Sequence, residues 1–182
     1  MRKPLPALLA FTDPVRTPDP TALARRLPRG TGLVYRAFGA PEAAATAQEL
    51  ARIARERGLL LLIGADAELA ARVRAHGVHL PERLARLAKP LKRRGFLVTA
   101  AAHSPRAARI ALAAGADAAV VSAVFPSKSP SAGPPIGPLR LARLVRTTGG
   151  PVYGLGGIGH ENARQLLRTG LVGLAAVAAF RT

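Results

Sequence analysis

The chain has 182 residues, of which 49% are hydrophobic and only 4% aromatic. This length predicts one domain spanning residues 1–182, with a core built mainly from alanine, leucine, valine and isoleucine. The sequence contains no cysteine. That excludes disulfides, thiolate metal sites and a cysteine nucleophile, and it fits a reducing compartment.

The formal net charge is +17, from 27 lysine and arginine residues against 10 acidic residues. One basic cluster has no aromatic residues between its members that would stack on bases, so we interpret it as a solvated helix face and do not expect a nucleic-acid partner. Its members are Arg83, Arg86, Lys89, Lys92, Arg93 and Arg94. No apolar run approaches the ~20 residues of a membrane span. The sequence therefore predicts a cytoplasmic protein with no membrane partner.

Eight short apolar runs alternate with segments of helical pattern along the chain. The runs that predict strands are residues 8–11, 32–35, 59–63, 78–80, 96–99, 118–122, 151–155 and 172–180. The segments that predict helices are residues 21–27, 41–58, 66–75, 82–91, 104–114, 139–147 and 160–169. Strict alternation over eight units predicts an α/β fold, a compact (β/α)8 TIM barrel. A doubly wound open sheet is the alternative, because the chain is slightly shorter than the ~200 residues usual for a barrel.

A glycine-rich turn stands between the last two predicted strands. Gly156, Gly157 and Gly159 follow the run 151–155, and the helical segment 160–169 comes next. Adjacent glycines let the backbone approach a ligand closely, and the following helix would point its amide groups at an anion such as phosphate. A tight turn without a ligand is the alternative. The pattern is not a dinucleotide-binding fingerprint, because no acidic residue stands ~20 positions further on.

The active face of such a barrel lies at the carboxyl ends of its strands. The polar residues expected there are mostly cationic or hydroxylated, which suits phosphate or diphosphate binding better than acid–base work. They are Thr12, Asp13, Arg36, Asp66, His79, His103, Ser104, Ser122, Ser127, Lys128 and Ser129. Structural roles are the alternative for several of them. Asp13 would cap a turn, His79 would pack at a strand end, and Ser104 would cap a helix.

Five blocks of the sequence, in this order and spacing, carry a family resemblance. They are FTDP at 11–14, GVHL at 77–80, AHSP at 102–105, AGADAAVVSAVFPSKSPSAGPPIG at 114–137 and GLGGIG at 154–159. Together they resemble thiamine-phosphate synthase and its TenI-type relatives over essentially the whole chain. The resemblance implies a (β/α)8 barrel that joins a pyrimidine-methyl diphosphate to a thiazole phosphate, with diphosphate leaving as a magnesium complex.

The resemblance also implies roles for individual residues. Arg36 matches an arginine that contacts the diphosphate and the pyrimidine, and Lys128 would carry part of the leaving-group charge. The block His103-Ser104 matches a Thr-His-Ser block after strand five. The residues implied to bind the thiazole phosphate are Ser127, Ser129, Gly156 and Gly157.

Several positions depart from the family pattern. The magnesium-binding aspartates are replaced by Ala65 and Leu84, which leaves Asp66 and Glu82 as the remaining candidate ligands. A family lysine two residues after Arg36 is Phe38. The TenI-type histidine before Val-Phe is Ala123. Three hypotheses stay open: a divergent synthase acting on small phosphorylated metabolites, a barrel that binds a thiazole-type phosphate without catalysis, and a basic surface that binds nucleic acid. A homo-oligomer is compatible with each.

Overall fold

A computed structural model describes residues 4–127 and 133–177. Eight parallel strands form a closed barrel in which each strand pairs with the next and β1 pairs with β8. The strands are β1 Leu8–Phe11, β2 Gly32–Tyr35, β3 Leu60–Gly64, β4 Gly77–Leu80, β5 Leu97–Ala102, β6 Ala118–Ser122, β7 Val152–Leu155 and β8 Gly173–Ala176. The (β/α)8 barrel predicted from the alternation of apolar and helical segments is therefore confirmed.

Six α-helices lie outside the strands in the described part of the chain. They are α1 Pro20–Arg26, α2 Ala43–Arg57, α3 Ala67–Arg72, α4 Ala88–Arg93, α5 Pro105–Ala113 and α6 Gly137–Thr148. Two 3-10 segments, Glu82–Leu87 and Ala163–Leu166, complete the ring. No helix within these ranges is long and apolar enough to cross a membrane.

Alternation along each strand divides the side chains between two cores. Leu9, Val34 and Leu62 belong to the cluster that fills the barrel interior, whereas Leu33 and Leu61 pack outward against the helices. Glycines at the starts of strands stand where the neighbouring backbone leaves no room for a side chain. A Cβ at Gly77 would lie 2.0 Å from the Leu97 carbonyl oxygen. The narrow interior is therefore largely filled by apolar side chains.

Side-chain caps fix where three of the helices begin. Asp19 accepts hydrogen bonds from the Thr21 and Ala22 amides at α1, Asp66 accepts one from Leu69 N at α3, and Ser104 accepts one from Ala107 N at α5. Each satisfies amide groups that have no partner inside the helix. The caps at Asp66 and Ser104 come directly after β3 and β5, so they also shape the mouth of the barrel.

Two predicted helices differ in the structure. The segment 82–91 is a 3-10 stretch followed by α4, because Pro90 lacks an amide hydrogen and is tolerated only in the first turn of an α-helix. The segment 160–169 contains only the 3-10 segment 163–166. Here the Asn162 side chain accepts a hydrogen bond from Gly159 N and donates one to the Gly157 carbonyl oxygen, which holds the backbone in a turn. The predicted strand 172–180 is observed as β8, and its last residues lie outside the described ranges.

Candidate active site

Arg36 is fixed at the mouth by the loop that follows β1. Its backbone N donates to Thr12 Oγ1 at 2.9 Å, and its Nε donates to the Thr12 carbonyl oxygen at 2.8 Å. Its Nη2 lies 3.5 Å from Asp13 Oδ2, and 24% of the side chain remains exposed. Burial lowers the pKa of Arg36, and the neighbouring Asp13 carboxylate opposes that shift. The guanidinium is thus a positioned cation with donors left over for a ligand.

Two aromatic rings and a glycine hold the rest of the Arg36 side chain. Its guanidinium carbon lies 5.5 Å from the centre of the Phe11 ring and 5.1 Å from that of Phe38, which is within cation–π range. A Cβ at Gly64 would lie 3.2 Å from Arg36 Cγ. The glycine therefore leaves room for the arginine stem. The Phe38 ring is 66% exposed, which makes it the most accessible aromatic surface beside the site.

Asp13 lies between two arginines. Its Oδ1 accepts hydrogen bonds from the backbone N of Val15 and of Arg16, as a turn-capping aspartate does. Its Oδ2 accepts a hydrogen bond from Arg16 Nη2 at 2.9 Å and also faces Arg36. The Arg16 hydrogen bond lowers the pKa of Asp13 to about 2, against the opposing effect of burial. Asp13 therefore caps the turn after β1 and also lies at the barrel mouth beside Arg36.

Glu82 and His103 join the loops after β4 and β5. Glu82 Oε2 lies 2.8 Å from His103 Nδ1 and accepts a second hydrogen bond of 2.8 Å from His103 N. Both side chains are close to half exposed. Ser104, the next residue, uses its hydroxyl oxygen to cap α5. The pair His103-Ser104 thus lies at the mouth, with Glu82 as a neighbour that the sequence did not connect to it.

The residues at the mouth do not fit a protein-bound magnesium ion. Magnesium prefers one or two free carboxylates together with substrate phosphate oxygens. Asp66 caps α3, and Glu82 is bound by His103. Throughout residues 4–127 and 133–177, no group of three or more histidine, cysteine or acidic side chains is placed to hold a metal ion. Ala65, at the position where the sequence resemblance implied a family aspartate, has a φ of 62°.

The glycine turn packs against the loop that follows β6. Val124 N donates to the Leu155 carbonyl oxygen and Phe125 N donates to that of Gly156, both at 3.0 Å. A Cβ at Gly157 would lie 2.4 Å from the Pro126 carbonyl oxygen, and the φ of Gly157 is +64°. Only glycine meets both conditions without strain. The turn therefore has a structural requirement for glycine in addition to its predicted phosphate role.

The remaining predicted residues are placed as follows. Ser127 lies half-buried in the loop after β6. Lys128 and Ser129 fall outside the described residues. His79 is buried inside the barrel, where its Nδ1 lies 2.9 Å from Thr99 Oγ1 and its ring meets Phe11 edge to face at 4.9 Å. Burial, helped by the nearby Arg36 charge, lowers the pKa of His79 to about 3.

The basic cluster lies on the outer face, along the 3-10 segment 82–87 and α4. Lys92 pairs with Asp117 at 2.6 Å, and Arg94 pairs with Glu68 at 2.8 Å. Arg94 also lies over the Phe96 ring at 5.6 Å. Part of the cluster is therefore neutralised within the protein, as expected of a solvated helix face.

Sequence reasoning missed two residues at this end of the barrel. Arg16 reaches Asp13 through an i, i+3 spacing, and Asn162 ties the glycine turn through the same spacing from Gly159. Both spacings are visible in the sequence as Asp-Pro-Val-Arg and Gly-His-Glu-Asn. Such short-range side-chain pairs close turns, and they are a usable signal where a strand has just ended.

A closed (β/α)8 barrel with a cationic, hydroxylated mouth is the class that this fold and site define. The family model described as thiamine monophosphate synthase matches residues 12–180. The chain therefore belongs to the thiamine monophosphate synthase family, as the resemblance of its sequence blocks implied.

Individual relatives agree with that assignment. A thiamine-phosphate synthase from Roseiflexus sp. (strain RS-1) is 36% identical over 143 residues, covering 74% of this chain and 58% of the relative. A thiamine-phosphate synthase from Pyrococcus furiosus is 30% identical over 177 residues, covering 94% of this chain and 85% of the relative. The solved structure of a thiamine phosphate pyrophosphorylase from Pyrococcus furiosus superposes with a TM-score of 0.82 at 28% identity, covering 94% of this chain and 85% of that one. The chain thus spans less than two thirds of the Roseiflexus relative and most of the Pyrococcus one.

Proposed function

We propose that the protein is a transferase of thiamine biosynthesis that couples a pyrimidine-methyl diphosphate to a thiazole phosphate. The observation that carries this proposal is the placement of Arg36, whose guanidinium is held at the barrel mouth by Thr12 and Asp13. Arginine binds phosphate oxygens with a planar fork of donors, which suits a diphosphate group. Membership of the thiamine monophosphate synthase family supports the same substrate class.

In this reaction the bond between the pyrimidine methylene carbon and the diphosphate oxygen breaks, and the electron pair leaves with diphosphate. The lone pair of the thiazole nitrogen then forms the new carbon–nitrogen bond, so no proton has to be moved. The protein's task is to bind, orient and stabilise the leaving charge. Arg36 and Lys128 are proposed for the diphosphate, with His103 and Ser104 beside it. The proposed thiazole phosphate site consists of Ser127, Ser129, Gly156 and Gly157.

The direct test is a coupling assay with both precursors, followed by chromatographic detection of thiamine phosphate. We expect product from the parent and at least tenfold slower formation with Arg36→Gln, because a hydrogen-bonded charge typically contributes ~1.5–3 kcal/mol. Arg26→Gln is the matched control, since it removes the same charge from the exposed last turn of α1. Binding of the thiazole phosphate without any product would contradict the transferase and support a binding protein.

We also propose that the protein works in the cytoplasm on small phosphorylated metabolites. The lack of cysteine supports a reducing compartment, and the cationic mouth supports anionic ligands. Nucleic acid is not proposed as a partner, because the basic cluster on α4 is partly paired with carboxylates.

A further inference from the structure

The mouth holds two arginine side chains that converge on one carboxylate oxygen. Arg16 Nη2 lies 2.9 Å from Asp13 Oδ2, and Arg36 Nη2 lies 3.5 Å from the same atom. About a quarter of each arginine side chain is exposed, against 17% for Asp13. Two guanidiniums around one acceptor leave an excess positive charge, and most of their hydrogen-bond donors stay available. A ligand with several anionic oxygens is the complement of this pair.

Three carboxylates at this end of the barrel already have partners within the protein. Asp13 binds the two arginines, Asp66 caps α3, and Glu82 accepts two hydrogen bonds from His103. At the two positions where a metal-binding aspartate would be expected, the chain has Ala65 and Leu84. The donor set thus offers cations rather than metal ligands near the predicted diphosphate site.

We propose that Arg16 and Arg36 together neutralise the diphosphate group, in the place where a protein-bound magnesium ion would otherwise do so. Asp13 is a positioning residue that keeps the two guanidiniums at the mouth while the site is empty. When the bond from carbon to the diphosphate oxygen breaks, the released electron pair develops charge on an oxygen next to these two arginines. This inference rests on the proposed transferase and adds Arg16 to its site.

Geometry within the first loop supports the role of Asp13. Its Oδ1 is bound by the amides of Val15 and Arg16, so the carboxylate cannot rotate away freely. Its low pKa, about 2, keeps it ionised across the neutral range. Arg36 is held independently by Thr12 and by the two flanking aromatic rings. Diphosphate can therefore bind the guanidinium donors that Asp13 does not use, without either arginine moving far.

The test is binding of inorganic diphosphate to the full chain by calorimetry, once in EDTA and once in excess magnesium. We expect the parent to bind in EDTA. Arg16→Gln and Arg36→Gln should each bind at least tenfold more weakly, because each loses charge-assisted hydrogen bonds to the phosphate oxygens. Arg26→Gln should stay close to the parent, since it removes one charge far from the mouth. Arg16→Lys should fall between parent and Arg16→Gln, because lysine keeps the charge without the fork.

Two results would overturn the inference. One is binding of diphosphate by the parent only when magnesium is present. The other is an Arg16→Gln variant that melts at the parent temperature and binds diphosphate as the Arg26→Gln control does. Because this assay uses neither precursor, it separates the two proposals. Binding that depends on Arg16 without any coupled product would leave the inference standing and remove the transferase.

Discussion

Around Arg36 the barrel mouth is shaped by side chains, whereas around Gly157 it is shaped by the backbone. On the first side, Asp13 pairs with Arg16 within the loop after β1, and Thr12 and Asp13 bind Arg36 in the loop after β2. On the second side, the turn after β7 fits against the loop after β6 only because Gly157 has no side chain. We therefore expect changes on the first side to remove binding while the barrel stays folded, and changes on the second side to destabilise the fold.

The largest effect is expected on the backbone-shaped side. Gly157→Ala should lower the free energy of unfolding by ~1.5–4 kcal/mol, because it combines a left-handed conformation, partly offset by the smaller entropy loss of alanine, with overpacking against Pro126. Gly149→Ala is the matched control, since its φ is +72° and its Cβ would meet nothing within 4 Å. That control should lose only ~0.5–1 kcal/mol, because the smaller entropy loss of alanine offsets part of the left-handed cost. Urea denaturation of the two variants measures the difference, and equal losses would show that the turn tolerates a side chain.

A second prediction concerns the buried histidine beneath Arg36. The pKa of His79 is about 3 in the folded barrel, below the ordinary value of 6.5, because of burial. As pH falls below 6.5, the unfolded chain takes up a proton that the folded chain refuses, so stability is lost between pH 6.5 and 3. From pH 7 to pH 5 the parent should lose about 2 kcal/mol more than His79→Gln. Parallel pH profiles for parent and variant would refute this assignment.

A third experiment adds carboxylates to the mouth. It tests whether metal ligands there make diphosphate binding depend on magnesium. The double change Ala65→Asp with Leu84→Asp places carboxylates where Mg²⁺ would have ligands beside the diphosphate. We expect magnesium to strengthen diphosphate binding at least tenfold in this variant, an effect of ~1.4 kcal/mol, and to leave the parent nearly unchanged. Ala65→Asn with Leu84→Asn is the uncharged control. If magnesium changed diphosphate binding equally in the parent and the double variant, the proposal that the arginine pair replaces the metal would be wrong.

The sequence predicted the fold better than the site, and the reasons are physical. Strands such as β1, β2 and β6 were located to the residue because buried parallel strands are continuous apolar runs bounded by turn residues. The helix predicted at 160–169 was wrong: only Ala163–Leu166 is helical, as a 3-10 segment, and the Asn162 side chain bonds back to Gly157 and Gly159, which holds the start of the segment in a turn. Intrinsic helix preference carries no information about such a competing bond.

The site depended on contacts between residues far apart in the chain. Glu82 was considered as a metal ligand, but its partner His103 lies 21 positions away, on the loop of the next strand. Arg36 and Asp13 are separated by 23 positions. Neighbouring strand ends bring such residues together, so the barrel prediction limits the choice of partners without fixing the rotamers that decide it. The predicted roles of His103, Ser104, Ser127, Gly156 and Gly157 in substrate binding remain predictions for the assays above.

The smallest predicted effect is on Ala65, the residue that follows Gly64 at the end of β3. Ala65 has a φ of 62°, a left-handed conformation that costs an alanine ~1–2 kcal/mol. Glycine removes that cost but loses more entropy on folding, by ~0.5–1 kcal/mol, so Ala65→Gly should stabilise the barrel by only about 0.5–1 kcal/mol. The change adds no atoms near the Arg36 stem, so diphosphate binding should match the parent. A destabilised Ala65→Gly variant in urea would show that the left-handed backbone is not strained here. Altered diphosphate affinity would show that the loop after β3 takes part in holding the arginine.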